Sequence, residues 1–189
     1  MKKATELIND LKNNKYDELL NDLYVDESLL EYQRNRYVAA VEKYISLYGD
    51  NEVEIYSAPG RSEVGGNHTD HQHGCVLAAA INLDAIAVVG KTEREIKILS
   101  DDFDIKAIDV NDLAVKQEEA GSSEALVRGV LAKLKELNYQ IGGFNAFITS
   151  DVIMGAGLSS SAAFETIIGT ILSGLYNDMT VDPVLIAQI

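Results

Sequence analysis

Two short runs of this sequence concentrate the residue types that could do chemistry. The first, residues 58–74, reads APGRSEVGGNHTDHQHG and holds all three histidines of the chain together with Arg61 and Asp70. Polar and titratable side chains gathered in this way contribute little to a hydrophobic core and are typical of a site. The second run, residues 155–165, reads GAGLSSSAAFE and is typical of a loop that binds phosphate.

The glycine- and serine-rich run lies between a predicted strand and a predicted helix. In that position the free backbone N–H groups and the positive end of the helix are directed at one point, which suits a phosphate. Gly155 and Gly157 permit close approach of the backbone, and the hydroxyls of residues 159–161 can donate hydrogen bonds or bind a metal. The run lacks the lysine of a Walker A loop and the third glycine of the dinucleotide fingerprint. A tight turn with an N-capping serine is the alternative interpretation.

The histidine-rich run admits three interpretations. In the first, His68 and Asp70 bind the hydroxyl groups of a small molecule, and Arg61 adds the fixed positive charge that phosphoryl transfer to an alcohol requires. In the second, the histidines, Asp70 and Cys75 bind a metal, although their spacing does not match a structural zinc site. In the third, the run is a polar surface loop.

The elements that must position these runs alternate between helical and strand periodicity. Residues 27–48 carry an apolar stripe of helical spacing, preceded by a more acidic helical stretch with a break at Asn13 and Asn14. Further helices are predicted at residues 123–137 and 160–176. Strands are predicted at residues 52–57 (interrupted by Pro59 and Gly60), 76–83, 84–90, 94–100, 103–110 and 143–149. The order of these elements predicts an α+β fold with a mixed sheet.

Composition limits the partners and the compartment. A net charge of −14 disfavours nucleic acid and anionic membranes as partners, because both require a positive surface. The single cysteine, Cys75, excludes an internal disulfide framework and fits a reducing cytoplasm. We expect Cys75 to be a small buried residue. The N-terminus lacks the apolar segment of a signal peptide, so a cytoplasmic location is predicted. The apolar run 184–189, which follows a helix-start signal at Asp182 and Pro183, leads us to expect a chain cut within a helix.

Together, APGRxExxGxHTDH and the later GAGLSSSAAFE resemble the galactokinases, members of the GHMP small-molecule kinases. The resemblance covers about residues 44–176, and the presence of both motifs in the same order makes it specific. It implies an N-terminal lobe like ribosomal protein S5 domain 2. We assign residues 27–189 to the sugar- and ATP-binding domain of this lobe, and residues 1–26, from their acidic helical pattern, to an extension. The resemblance also implies ATP-dependent phosphorylation of galactose to galactose 1-phosphate.

The resemblance assigns a role to each candidate site residue. Arg61 would stabilise charge in the transition state, and Asn67, His68, Thr69 and Asp70 would line the sugar. The nucleotide phosphates would be bound by the phosphate-loop residues Gly155, Ala156, Gly157, Leu158, Ser159, Ser160 and Ser161. Ser161 would also reach Mg²⁺, and Ser100 would lie near the nucleotide. These roles suit phosphoryl transfer, which depends on positioning and on neutralisation of charge.

The sequence departs from the family pattern at three positions. Asn67 stands where the family usually has glutamate, which leaves the identity of the sugar open. His71 replaces a tyrosine, and Ile153 replaces a proline before the phosphate loop. The family's catalytic aspartate would fall beyond Ile189, so we expect these 189 residues alone to have no useful kinase activity. A kinase for another sugar and a non-catalytic sugar sensor of the same fold are the alternatives.

Overall fold

The computed structural model describes residues 1–66, 74–101, 104–153, 155 and 157–189. The N-terminal part consists of strand β1 (Lys2–Lys3), helices α1 (Ala4–Lys12) and α2 (Asp17–Tyr24), a 3₁₀ turn (Glu27–Leu29) and helix α3 (Leu30–Tyr48). The remaining elements are β2 (Glu52–Gly65), β3 (Leu77–Thr92), β4 (Glu95–Ser100), β5 (Asp104–Asp109), a 3₁₀ turn (Gln117–Glu119), α4 (Ser123–Glu136), β6 (Gly143–Ser150), α5 (Ser160–Asn177) and α6 (Pro183–Gln188). Across the described residues, every helix is too short or too polar to cross a membrane.

The strands form one mixed sheet in the order β1-β2-β3-β6-β4-β5. The pairing of β4 with β6 is parallel, and the other neighbours are antiparallel. This arrangement confirms the predicted α+β fold with a mixed sheet. The strands predicted at residues 94–100 and 103–110 are also present as the antiparallel pair β4–β5, in which Ile96 lies opposite Ile108.

Helices cover both faces of the sheet. Ala85, Ala87 and Val89 of β3 face α4 and α5, whereas Ile86 and Val88 face α1, α2 and α3. This alternation follows from the period of two in a strand, and it explains why β3 is apolar along its buried half. The three N-terminal helices therefore pack directly against the sheet and share a core with it.

Three predictions about local structure are wrong. The two strands predicted at residues 76–83 and 84–90 are one continuous strand, β3 (Leu77–Thr92). The strand predicted to stop at Pro59 and Gly60 continues to Gly65, with a shift in the β2–β3 register between Pro59 and Arg61. Proline is tolerated there because the β2–β3 ladder is irregular at this point and does not require its missing N–H. Cys75 is exposed rather than buried, as are the first four residues of β3, which begins at Leu77.

Candidate active site

The two chemical runs meet at a backbone hydrogen bond. The N–H of Arg61 on β2 donates to the carbonyl oxygen of Leu158 in the phosphate loop at 3.1 Å. Nearly a hundred residues separate these positions in the sequence, and the sheet brings them together because β3 pairs with both β2 and β6. The strand segment that carries Arg61 and the phosphate loop at Leu158 therefore lie side by side.

Gly60 makes this close contact possible. A Cβ atom at this position would lie 3.1 Å from the carbonyl oxygen of Leu158, 3.1 Å from Cγ1 of Val152 and 3.2 Å from Cδ1 of Ile81. These distances are shorter than ordinary van der Waals contacts, so a side chain would push the phosphate loop away from β2. Close packing against the phosphate loop therefore explains why a glycine precedes Arg61.

The backbone conformation of the phosphate loop leaves N–H groups available to a ligand. Gly155, Gly157 and Ser159 have φ angles of 77°, 75° and 59°, in the left-handed region. The first two positions favour glycine for this reason, and a Cβ atom at either one would have no described residue within 4 Å, its chain neighbours apart. Helix α5 begins directly afterwards, and the side chain of its N-cap residue, Ser159, makes no capping hydrogen bond. Its first N–H groups and its positive dipole end are therefore available to an anion.

A cavity of about 160 Å³ lies beside the start of α5. It brings together three of the predicted nucleotide-site residues, Ser100, Ser160 and Ser161. Its other lining residues are Ala85, Asp101, Ser123, Leu126, Ile148, Ser150, Val152 and Phe164. The cavity combines hydroxyl groups with an apolar wall, a combination that is usual in sites for small molecules.

The side chain of Arg61 is partly open to solvent. It is 42% exposed, and its Nη1 lies 3.8 Å from Oε2 of Glu63, which is a long ion pair. A guanidinium in this position can approach an anionic ligand without breaking a strong internal contact. The predicted sugar residues Asn67, His68, Thr69 and Asp70 lie outside the described residues, as do His71 and Ala156.

A buried charged cluster next to the site was missed at the sequence level. Arg36 on α3 donates through Nη1 to Oδ1 of Asp84 at 2.6 Å, and the same Nη1 lies 3.2 Å from Oδ2 of Asp151. Both Arg36 and Asp84 are buried. Burial lowers the pKa of the Arg36 guanidinium, but the carboxylates of Asp84 and Asp151 more than offset this and leave that pKa raised.

The hydroxyl of Tyr24 completes this cluster. It donates to Oδ2 of Asp84 at 2.8 Å and lies 3.1 Å from the hydroxyl of Tyr37. Burial, followed by charge interactions with Tyr37 and then with Asp84, raises the pKa of Tyr24, while burial raises the pKa of Tyr37 to about 12. A signal was present in the sequence, since an aspartate inside the apolar run INLDAIAVVG requires a buried partner.

Among the described residues, no group of three or more histidine, cysteine or acidic side chains could hold a metal. The cavity nonetheless offers oxygen donors of the kind that Mg²⁺ prefers, from Ser161 and Asp101. Mg²⁺ takes few protein ligands and many from water and substrate phosphates, so these residues fit Mg²⁺ that arrives with a nucleotide.

Two family models match the chain. The galactokinase galactose-binding signature matches residues 42–91, which include Arg61 and Asn67. The GHMP kinase N-terminal domain matches residues 125–189, which include the phosphate loop. The matches therefore cover both the histidine-rich run, residues 58–74, and the glycine- and serine-rich run, residues 155–165.

Curated relatives and a solved structure agree with these models. A galactokinase of Clostridium tetani is 26% identical over 158 residues, which is 82% of this chain and 40% of that protein. A galactokinase of Lactococcus lactis is 32% identical over 145 residues, or 74% of this chain and 36% of that protein. The crystal structure of Lactococcus lactis galactokinase complexed with galactose superposes with a TM-score of 0.69 at 29% identity, covering 78% of this chain and 39% of that one. The chain thus spans 36–40% of the length of these curated relatives.

Proposed function

Since this chain belongs to the galactokinases, a family of the GHMP kinases, we propose that it provides the sugar- and ATP-binding part of an ATP-dependent galactose kinase. The reaction transfers the γ-phosphate of ATP to the anomeric hydroxyl of galactose. The observation that carries the proposal is the 3.1 Å hydrogen bond from Arg61 to Leu158, because it joins the galactose-signature strand to the phosphate loop.

The phosphate loop binds the triphosphate of ATP. Its left-handed residues and the uncapped start of α5 direct N–H groups and a positive dipole at the phosphates, which neutralises charge without a lysine. Ser100 and Ser160 border the adjacent cavity and hydrogen-bond the nucleotide. Ser161 would hold Mg²⁺, which would neutralise the charge of the phosphate oxygens.

Arg61 stabilises the charge that develops during transfer. Its backbone is fixed to the loop at Leu158, whereas its half-exposed guanidinium can reach the phosphoryl group. The segment from Asn67 to Asp70 binds the sugar hydroxyls, which the match of the galactose-binding signature to residues 42–91 supports. Proximity of the two substrates then lowers the barrier, as phosphoryl transfer requires.

The division of the chain is part of the proposal. Residues 1–26 form the acidic helical extension, and residues 27–189 form the sugar- and ATP-binding domain, acting in the cytoplasm. The extension packs against the sheet through Leu7, Leu11 and Leu20, which supports a role as a cover of this domain.

Asn67 favours a second candidate, a kinase for another sugar. The usual glutamate only accepts hydrogen bonds from sugar hydroxyls when ionised, whereas an amide both donates and accepts. An altered hydroxyl pattern in the substrate would match this change.

The test measures ADP release by the product of the complete gene with MgATP and a panel of hexoses, pentoses and polyols. Galactose as the best substrate supports the proposal. A different preferred sugar, with the preference moved toward galactose by Asn67→Glu, supports the second candidate. Binding of sugar and ATP without turnover contradicts both and favours a sugar sensor.

A further inference from the structure

One guanidinium connects the N-terminal helices to two neighbouring strands of the sheet. Nη2 of Arg36 donates to the carbonyl oxygen of Asp84 on β3 at 2.8 Å and to that of Thr149 on β6 at 3.3 Å. Nη1 contacts the carboxylates of Asp84 and Asp151. Arg36 therefore ties the end of β6 to β3 from outside the sheet.

The contacts of Arg36 lie where the pairing of β3 with β6 ends, close in the chain to the histidine-rich run and the phosphate loop. The β3–β6 ladder ends at Ala85 and Ser150, and the N–H of Asp151 then donates to the carbonyl oxygen of Asp84 at 2.9 Å. On the other side, Asp84 lies opposite Pro59, two residues before Arg61. In the chain, Asp151 comes four residues before Gly155 of the phosphate loop. The contacts of Arg36 thus lie at the base of both runs.

Side chains from the helices and from β2 complete the cluster. Oδ2 of Asp84 accepts from Tyr24 at 2.8 Å and from Ser57 at 2.5 Å. Oδ1 of Asp151 accepts from Tyr32 on α3 at 2.9 Å. The two carboxylates face one guanidinium, so Arg36 is the group that keeps two negative charges close to each other.

The cluster is not an efficient way to stabilise a fold. Nε of Arg36 is buried without a hydrogen-bond partner, and buried ion pairs contribute little more than apolar residues of the same volume. A buried guanidinium with its Nε–H unpaired at the base of an active site is better explained by the geometry that it imposes.

We propose that Arg36 is a positioning residue, which fixes the spacing between Arg61 and the phosphate loop through Asp84 and Asp151. The inference rests on the proposed function, because the spacing matters for transfer between two bound substrates. The N-terminal helices thereby become part of the catalytic apparatus rather than a passive cover. A shift of the loop by a fraction of an ångström lowers the rate without abolishing binding.

The test uses Arg36→Lys in the product of the complete gene. Lysine keeps the charge but cannot contact both strands and both carboxylates. We expect kcat to fall about tenfold or more and the KM for sugar to change by less than about threefold. All proteins are assayed at one temperature, about 15 °C below the Tm of the least stable variant. The matched control is Arg34→Lys on the same helix. Arg34 contacts Asp17 of α2 at 2.6 Å instead of the sheet, so kcat should stay within about twofold.

A milder variant covers the case in which Arg36→Lys does not fold. Tyr32→Phe removes only the hydroxyl that donates to Asp151, and the Tyr32 side chain is exposed. We expect a fall in kcat of about threefold with an unchanged Tm. Equal kcat for wild type, Arg36→Lys and Tyr32→Phe would overturn the inference. A lower Tm of the variants with an unchanged kcat would overturn it as well.

A binding measurement separates this inference from the proposed function. If the wild type phosphorylates no sugar, the proposed function fails. Calorimetry with a non-hydrolysable ATP analogue then tests whether Arg36 positions the phosphate loop. Weaker binding by Arg36→Lys than by Arg34→Lys supports it. Equal affinity of the two variants, or no binding by the wild type, refutes it.

Discussion

Replacement of Gly60 by alanine tests how closely the phosphate loop must approach β2. The added Cβ would lie 3.1 Å from the carbonyl oxygen of Leu158 and 3.1 Å from Cγ1 of Val152, so the neighbours must yield by a few tenths of an ångström. Overpacking of this size costs about 1–3 kcal/mol. The side chain of Val152 can rotate, but the Leu158 oxygen belongs to the backbone and moves only with the loop.

The loss should appear in catalysis as well as in stability. Movement of the loop lengthens the bond from Arg61 to Leu158 and shifts the phosphates relative to the acceptor. If about 1.4–2.7 kcal/mol of the strain is expressed in the transition state, kcat/KM falls about tenfold to a hundredfold. The assay is the steady-state kinetics of Gly60→Ala with ATP as the varied substrate, together with its Tm.

Gly129→Ala is the matched control. Gly129 lies within α4, and a Cβ there would meet no atom within 4 Å. Alanine should stabilise this helix by up to about 1 kcal/mol and leave kcat/KM for ATP unchanged. A Gly60→Ala enzyme with the kinetics and Tm of the wild type would refute the reasoning that close approach at Gly60 builds the site.

Three further changes have defined outcomes. Arg61→Ala should lower kcat about a hundredfold or more with little change in Tm, because the half-exposed guanidinium acts on the transition state; an unchanged kcat would exclude that role. Ser161→Ala should raise the Mg²⁺ concentration needed for half-maximal rate about tenfold without changing the KM for sugar, and an equal Mg²⁺ requirement would contradict the assignment. The Arg94 guanidinium holds the pKa of Asp109 at about 2, below its ordinary 3.8, so the stability from this pair is present above pH 3.8 and is lost as the pH falls toward 2. Arg94→Gln should therefore lower Tm at about pH 6, with the difference from wild type shrinking below pH 3.8, and a constant difference would count against the pair.

The elements with clear periodicity could be predicted from the sequence. The helix predicted at residues 160–176 is α5, Ser160–Asn177, because apolar side chains on helical spacing bury one continuous face. The left-handed glycines of the phosphate loop were also predictable, since few residues other than glycine adopt that conformation at low cost.

Contacts between distant residues could not be predicted in the same way. Arg36 and Asp84 are 48 residues apart, and neither position shows its partner before the sheet and α3 are assembled. The continuation of β2 past Pro59 depends likewise on its neighbours, since the irregular β2–β3 register there spares the missing N–H. Local patterns therefore predict which residues do chemistry, whereas the spacing between them depends on tertiary packing.

The position of the transferred phosphate tests the central claim most directly. The product of the complete gene is incubated with MgATP and galactose, and the reaction is followed by ³¹P NMR with Arg61→Ala as the control. The account predicts a sugar 1-phosphate signal that grows with ADP and is strongly reduced in the variant. Phosphate released only to water, or a sugar phosphate formed equally well without Arg61, would contradict it.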